Sequence, residues 1–105
     1  MKKLNKNRLN QLNTFMFLKL NNLKELWLNE NQLNKLEPAT FRGLTNLRWL
    51  YLEENAIRWL EKSSLDELNN LEKVCLFKNP LSDLNAVKSS FKNSVKCVIK
   101  INEKC

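Results

Sequence analysis

No histidine occurs in the 105 residues. The side chain that titrates near neutrality is therefore missing, and with it the commonest general base and a common zinc ligand. Glycine occurs once and proline twice, which excludes collagen-like and linker-like chains and leaves no Gly-rich loop to cradle a phosphate. No run of about 18 apolar residues exists, so the sequence offers no membrane-spanning helix. The basic opening, MKKLNKNRLNQLN, is not followed by an apolar stretch and does not read as a signal peptide. Asparagine is abundant, at 17 residues, yet none stands in an Asn-x-Ser/Thr acceptor site, which weighs against heavy glycosylation. The three cysteines, Cys75, Cys97 and Cys105, lack metal-ligand spacing and form no CxxC pair. Their odd number leaves one thiol unpaired within the chain or joined to another molecule. No pair of carboxylates marks a pocket, and Ser63, Ser64, Ser89 and Ser90 read as solvated connecting-segment serines. The sequence thus names no catalytic residue, no metal ligand and no cofactor, and it is not expected to be an enzyme.

What is present is ordinary in bulk and unusual in order. The chain is 43% hydrophobic and 28% charged, with 18 Lys and Arg against 11 Asp and Glu. That suits one folded domain, 1–105, with a basic balance that favours acidic partners. Leucine and asparagine recur throughout, and enrichment in two residue types directs attention to periodicity. Three segments align without gaps at a period of 24: 23–46, 47–70 and 71–94. Their shared frame is LxxLxLxxNxLxxL followed by two further apolar positions. Leu28, Leu52 and Leu76 coincide, as do Asn31, Asn55 and Asn79, and Leu33, Ile57 and Leu81. The frame runs backwards too, with Asn7, Leu9, Leu12, Phe17 and Leu20 each 24 residues before its counterpart. A first repeat therefore spans about 1–22, with Lys2 where a Leu belongs.

The residues of this frame resemble those of the leucine-rich-repeat family, and PATFRGLTNL at 38–47 is similar to the subtype found in animal extracellular receptors. The resemblance covers residues 1–84. It implies an α/β-type repeat, a solenoid with a parallel concave sheet, here of four repeats plus a closing strand. It also implies a secreted or ectodomain setting, with roles in recognition or immunity; a cytoplasmic setting is the alternative. Extracellular members staple their ends with disulfides, and on that habit a Cys97–Cys105 bridge is expected, against reduced thiols in a cytosolic protein. The chain departs from the pattern here. NPLSDL at 79–84 has the Asn-Pro opening of such end caps but lacks the cysteines that follow it.

Physical chemistry leads to the same architecture. In each LxL the two leucines alternate with other residues, which is strand periodicity. One strand per repeat stacks into a parallel sheet, and the apolar faces are buried only against neighbouring repeats. The Asn amide, donor and acceptor at once, can satisfy backbone groups left unpaired where the chain turns inward. Asn7, Asn31, Asn55 and Asn79 are thus expected to form a ladder. Beyond the fourth repeat, Val95 falls where Leu71 fell, and the β-branched run 95–101 reads as a final strand within a cap at 85–105. Segment 84–94 could form a helical turn with Val87 and Phe91 on one face. Lys88, Lys92, Lys96, Lys100 and Lys104 form either a basic stripe or a solubilising cover.

If Leu26 and Leu28 face in, Glu25, Trp27 and Asn29 face out. Equivalent positions on adjacent strands then make rows: Lys3, Trp27, Tyr51, Cys75; then Glu25, Trp49, Lys73; then Asn5, Asn29, Glu53, Phe77; and Lys6, Glu30, Glu54, Lys78. The expected site is this face, with Glu25, Trp27, Asn29, Trp49, Tyr51, Glu53, Lys73 and Phe77 as partner-binding residues. Aromatic anchors with a charged rim have the composition of a protein-binding hot spot. The alternative is that the rings merely cover one another across strands. Cys75 on this face reads as an inert thiol, a bridge to a partner, or a diagonal mate of Cys97. Trp59 reads as packed beside Leu60. Glu25, Glu30, Glu53 and Glu54 would repel phosphates, which makes nucleic acid an unlikely partner. The expected function is a non-enzymatic protein-binding module. The alternatives are a self-associating protein, joined through the uncapped first repeat as a homo-oligomer, and a binder of anionic glycans.

Overall fold

A computed structural model describes residues 1–12, 16–34, 36, 38–58, 60, 65, 68–81 and 98–100 of the chain. Five short strands form a single sheet in sequence order: β1 (Lys2–Lys3), β2 (Glu25–Trp27), β3 (Trp49–Tyr51), β4 (Lys73–Cys75) and β5 (Val98–Lys100). Every neighbouring pair is parallel. The first four strands keep the 24-residue frame, with Lys2, Leu26, Leu50 and Val74 in register. The ladder continues past the strands: Leu28 N–H donates to Tyr51 C=O at 2.8 Å, and Glu30 N–H to Glu53 C=O at 2.9 Å.

The closing strand is present, but it leaves the frame by one residue. Val74 pairs with Ile99, and Cys75 with Lys100, an offset of 25 rather than 24. The spacing into β5 is thus one residue longer than a repeat, so the frame that set Val95 opposite Leu71 does not hold in the register of β5.

The core lies between the sheet and the returning half of each repeat. Leu26, Leu28, Leu50, Leu52, Val74 and Leu76 are fully buried, facing inward from the strands. Leu33, Ile57, Leu36 and Leu60 follow the turn, and Phe17, Phe41, Leu65, Leu44 and Leu68 arrive from the return. Phe17 and Phe41 stack with ring centroids 6.2 Å apart and planes 5° from parallel. Burying a leucine or phenylalanine contributes roughly 1.5–3 kcal/mol, so these layers are the main attractive term. A 3-10 helix, Pro38–Phe41, begins the return of the second repeat. The return then repeats two tight turns: Leu20, Leu44 and Leu68 N–H donate to Phe17, Phe41 and Leu65 C=O.

Gly43 sits in that return at φ +98°, and a Cβ there would lie 2.4 Å from the Leu18 carbonyl oxygen. The single glycine is thus fixed by backbone approach between repeats.

The asparagines connect one repeat to the next. Asn31 Oδ1 accepts from Leu9 N–H at 3.1 Å, while its Nδ2 donates to Leu28 C=O and, across the repeat boundary, to Leu4 C=O, each at 3.0 Å. Asn55 and Asn79 repeat the arrangement, accepting from Leu33 and Ile57 N–H at 3.1 Å. Among the described residues, Asn7 is exposed and donates within its own turn, to Leu4 and Asn5 C=O. A second rail, not read from the sequence, runs on the other side of the strands. Asn46 Nδ2 donates to Asn21 C=O and Asn70 Nδ2 to Thr45 C=O, both at 2.7 Å.

The candidate functional site on the concave face

The strand positions between the buried leucines build a face of half-buried side chains. Glu25, Trp27, Trp49, Tyr51 and Lys73 stand on β2 to β4, with Asn29, Glu53 and Phe77 just beyond. Register places Trp27 between Lys3 and Tyr51, and Trp49 between Glu25 and Lys73. Trp27 and Tyr51 are in ring contact, centroids 5.0 Å apart and tilted by 52°. Trp27 Nε1–H donates to Glu25 Oε1 at 2.5 Å, which fixes the indole beside a carboxylate.

The other aromatics are each met by a cation. The Arg48 guanidinium lies 5.9 Å from the Trp49 ring centroid, and Arg48 also pairs with Glu72 at 3.6 Å. Lys78 Nζ lies 5.7 Å from the Phe77 ring and 3.5 Å from Glu54. Lys3 Nζ stands 4.7 Å from the Trp27 ring. These ion pairs are exposed and contribute little to stability, but they set where charge lies. Two strand neighbours thus provide a compact aromatic centre, with Trp49 and Phe77 at its borders.

Electrostatics of the centre are negative. Burial raises the Tyr51 hydroxyl above its ordinary value, and the charges of Glu25 and Glu53 raise it further. Among the described residues, Asn29 Oδ1 is buried and meets no donor.

The turns beside this face have one more regularity. Lys6, Glu30, Glu54 and Lys78 all adopt positive φ, between 56° and 59°. This left-handed turn precedes each ladder asparagine, and the amides of Asn31, Asn55 and Asn79 reach the preceding repeat. The sequence signal was available, because the four positions share the 24-residue frame, but their side chains give no hint of the conformation.

Cys75 was left open between an inert thiol and a bridged one. It shares the Trp27–Tyr51 row and is fully buried and disulfide-bonded, which removes the inert-thiol reading. In a chain of three cysteines, that bond competes with the expected Cys97–Cys105 bridge. Cys97 and Cys105 themselves lie outside the described residues, as do Trp59, the four serines, segment 84–94 and, apart from Lys100, the C-terminal lysine series. Among the described residues no group of three or more His, Cys, Asp and Glu is placed to hold a metal. No helix among them is long and apolar enough to cross a membrane.

Comparison with known proteins agrees with the architecture. A family profile described as "Leucine rich repeat" matches residues 3–57 and 37–81. The structure resembles TLR13, solved in complex with an RNA termed ssRNA13, with a TM-score of 0.89 and 25% identity, covering 94% of this chain and 14% of that one. It also resembles a Drosophila structure of the Toll–Spatzle complex, with a TM-score of 0.86 and 23% identity, covering 97% of this chain and 15% of that one. The chain therefore spans about a seventh of the length of these solved relatives. No curated protein matches it.

Proposed function

Because the chain belongs to the leucine-rich-repeat family, we propose that it is a non-enzymatic protein-binding module whose ligand lies across the concave sheet face. One observation carries the reading: Trp27 and Tyr51 are in ring contact on a half-buried outward row, not in the core. Contiguous aromatics on a surface mark a binding site more often than not. A rigid sheet also presents them without an ordering cost on association. Glu25, Asn29, Trp49, Glu53, Lys73 and Phe77 surround the pair as its rim. The solved relatives were captured with ligands, Toll with Spatzle and TLR13 with an RNA. The glutamates around Tyr51 disfavour phosphate and favour a protein in the present case. By the same likeness the setting is extracellular, as a secreted protein or part of a receptor ectodomain.

The test compares the native chain with the Trp27→Ala/Tyr51→Ala variant in affinity capture followed by mass spectrometry. Loss of hot-spot anchors weakens binding by about 2 kcal/mol or more, roughly 30-fold. The variant should lose specific partners while its circular dichroism is unchanged. Equal capture by a folded variant would end this reading.

A second reading, self-association through the first repeat, rests on exposed apolar side chains there. Met16 and Leu18 are 39% and 49% accessible. Covering them with a second copy would give a dimer. Light scattering with charged substitutions at Leu4 or Leu9 tests it, given retained circular dichroism.

A further inference from the structure

Cys75 is disulfide-bonded, and the chain offers it two mates, Cys97 and Cys105. The register of β5 separates them. Val98, Ile99 and Lys100 stand opposite Lys73, Val74 and Cys75. Lys100 is therefore the neighbour of Cys75 across the ladder. Cys97 precedes Val98 directly, so an extended Val98 sets it back to the level of Glu72. At a rise of about 3.3 Å per residue and a strand spacing of about 4.8 Å, the Cα atoms of Cys75 and Cys97 then stand about 11 Å apart. A disulfide needs them within about 7 Å. Cys105 meets no such bar. It follows Lys100 by five residues, a reach of about 16 Å when extended and enough to turn back to the level of Cys75.

Burial points the same way. Along the outward row Lys3 is exposed, and Trp27 and Tyr51 are half-buried, while Cys75 is fully buried. Val74 beside it fills the core, so alternation turns Cys75 to the concave side. A covalent mate arriving on that side supplies the cover that the other members of the row lack.

We infer that Cys75 is joined to Cys105, which draws the C-terminal end of the chain over the concave face at β4 and leaves Cys97 as the odd thiol. The bond also ties down β5, the one strand outside the 24-residue frame. The outward row of Lys3, Trp27 and Tyr51 stops at a covered position, which sets the border of the concave face on the β4 side. On the protein-binding reading above, a ligand meets the chain's own end there; the pairing itself does not depend on that reading.

Peptide mapping of the full chain decides the pairing, with free thiols alkylated by iodoacetamide and trypsin digestion kept non-reducing. Lys100 and Lys104 let trypsin part Cys97 from Cys105, so the Cys75 peptide should be found linked to Cys105 and the Cys97 peptide alkylated. A Cys75–Cys97 linkage would overturn the inference. Thiol titration of the denatured, unreduced chain asks the same without a native fold. It should count one thiol in the native sequence, none in Cys97→Ser and two in Cys105→Ser; none in Cys105→Ser and two in Cys97→Ser would refute the pairing. The cover is read by maleimide labelling of Cys105→Ser, with circular dichroism as the check on its fold. Cys75 should become reactive, as a thiol does once exposed. A folded variant in which Cys97 labels and Cys75 stays inert would show that the sheet, not the chain end, covers Cys75. None of these readouts involves a ligand, so they stand or fall apart from capture by Trp27 and Tyr51.

Discussion

Substituting Asn55 by alanine should destabilise the fold far more than the same change at Asn7, although both occupy the same place in the repeat. Asn55 Oδ1 is the acceptor of Leu33 N–H. Its Nδ2 approaches three carbonyls, Leu28, Leu52 and Glu53, at 3.1, 3.0 and 3.2 Å. Each carbonyl keeps another donor after the substitution: Asn31 Nδ2 on Leu28, Asn79 Nδ2 on Leu52, and Glu30 N–H on Glu53. The carbonyls thus lose a few tenths of a kcal/mol each, while the orphaned Leu33 N–H costs about 1–3 kcal/mol, for a total of roughly 2–4 kcal/mol. Asn7 is exposed, and Leu4 C=O retains Asn31 Nδ2 at 3.0 Å. Its replacement should cost under about 0.5 kcal/mol. With a urea slope of about 2 kcal/mol per molar, Asn55→Ala should lower the denaturation midpoint by about 1–2 M and Asn7→Ala by under about 0.3 M. Circular dichroism in urea measures both. Equal losses would refute the assignment of the main effect to a donor stranded between repeats.

Gly43→Ala should cost about 2–5 kcal/mol, because positive φ contributes roughly 1–2 and the overlap with Leu18 C=O roughly 1–3 kcal/mol. Thermal unfolding would show it, and a loss under about 0.5 kcal/mol would mean that the second return does not run against the first. The single tyrosine should form tyrosinate with an absorbance midpoint above 10.0. Glu25→Gln/Glu53→Gln should bring the midpoint only part of the way down, since burial is the larger cause. The linkage follows in sign. Between the unfolded pKa and the raised folded one, the native state binds more protons, so stability falls as pH rises through that window. A midpoint at or below 10.0 would contradict the burial of Tyr51.

The leucine frame was legible because its period is strict. One gapless spacing of 24 fixes which residues stand opposite one another, and Glu25 with Trp49, and Trp27 with Tyr51, follow from arithmetic once each LxL is a strand. The same arithmetic failed at β5, where the frame carries no leucines to hold it and the register is offset by 25 residues. Cys75 stayed open between alternatives because alternation tells which way a side chain points, not what covers it. Its small, disulfide-bonded side chain is buried beside Tyr51 on a face whose larger neighbours remain half-exposed. The second asparagine rail was hidden in plain view. Asn46 and Asn70 share the period, but adjacent asparagines at 21–22 and 69–70 blur which of each pair matters. Left-handed backbone at Glu30 and Glu54 had no marker, since neither is glycine or asparagine.

The cross-repeat asparagine bonds span 22, 25 or 27 residues of chain. Each link therefore closes a loop of one module, whichever module it is. The entropy of closing a loop rises with its length, so adding modules would multiply such closures without enlarging any of them. A version with residues 47–70 duplicated in tandem should widen the sheet by one strand spacing, about 4.8 Å, and fold with no greater topological penalty per step. Size, in this architecture, is a number of identical small closures and not the reach of a large one.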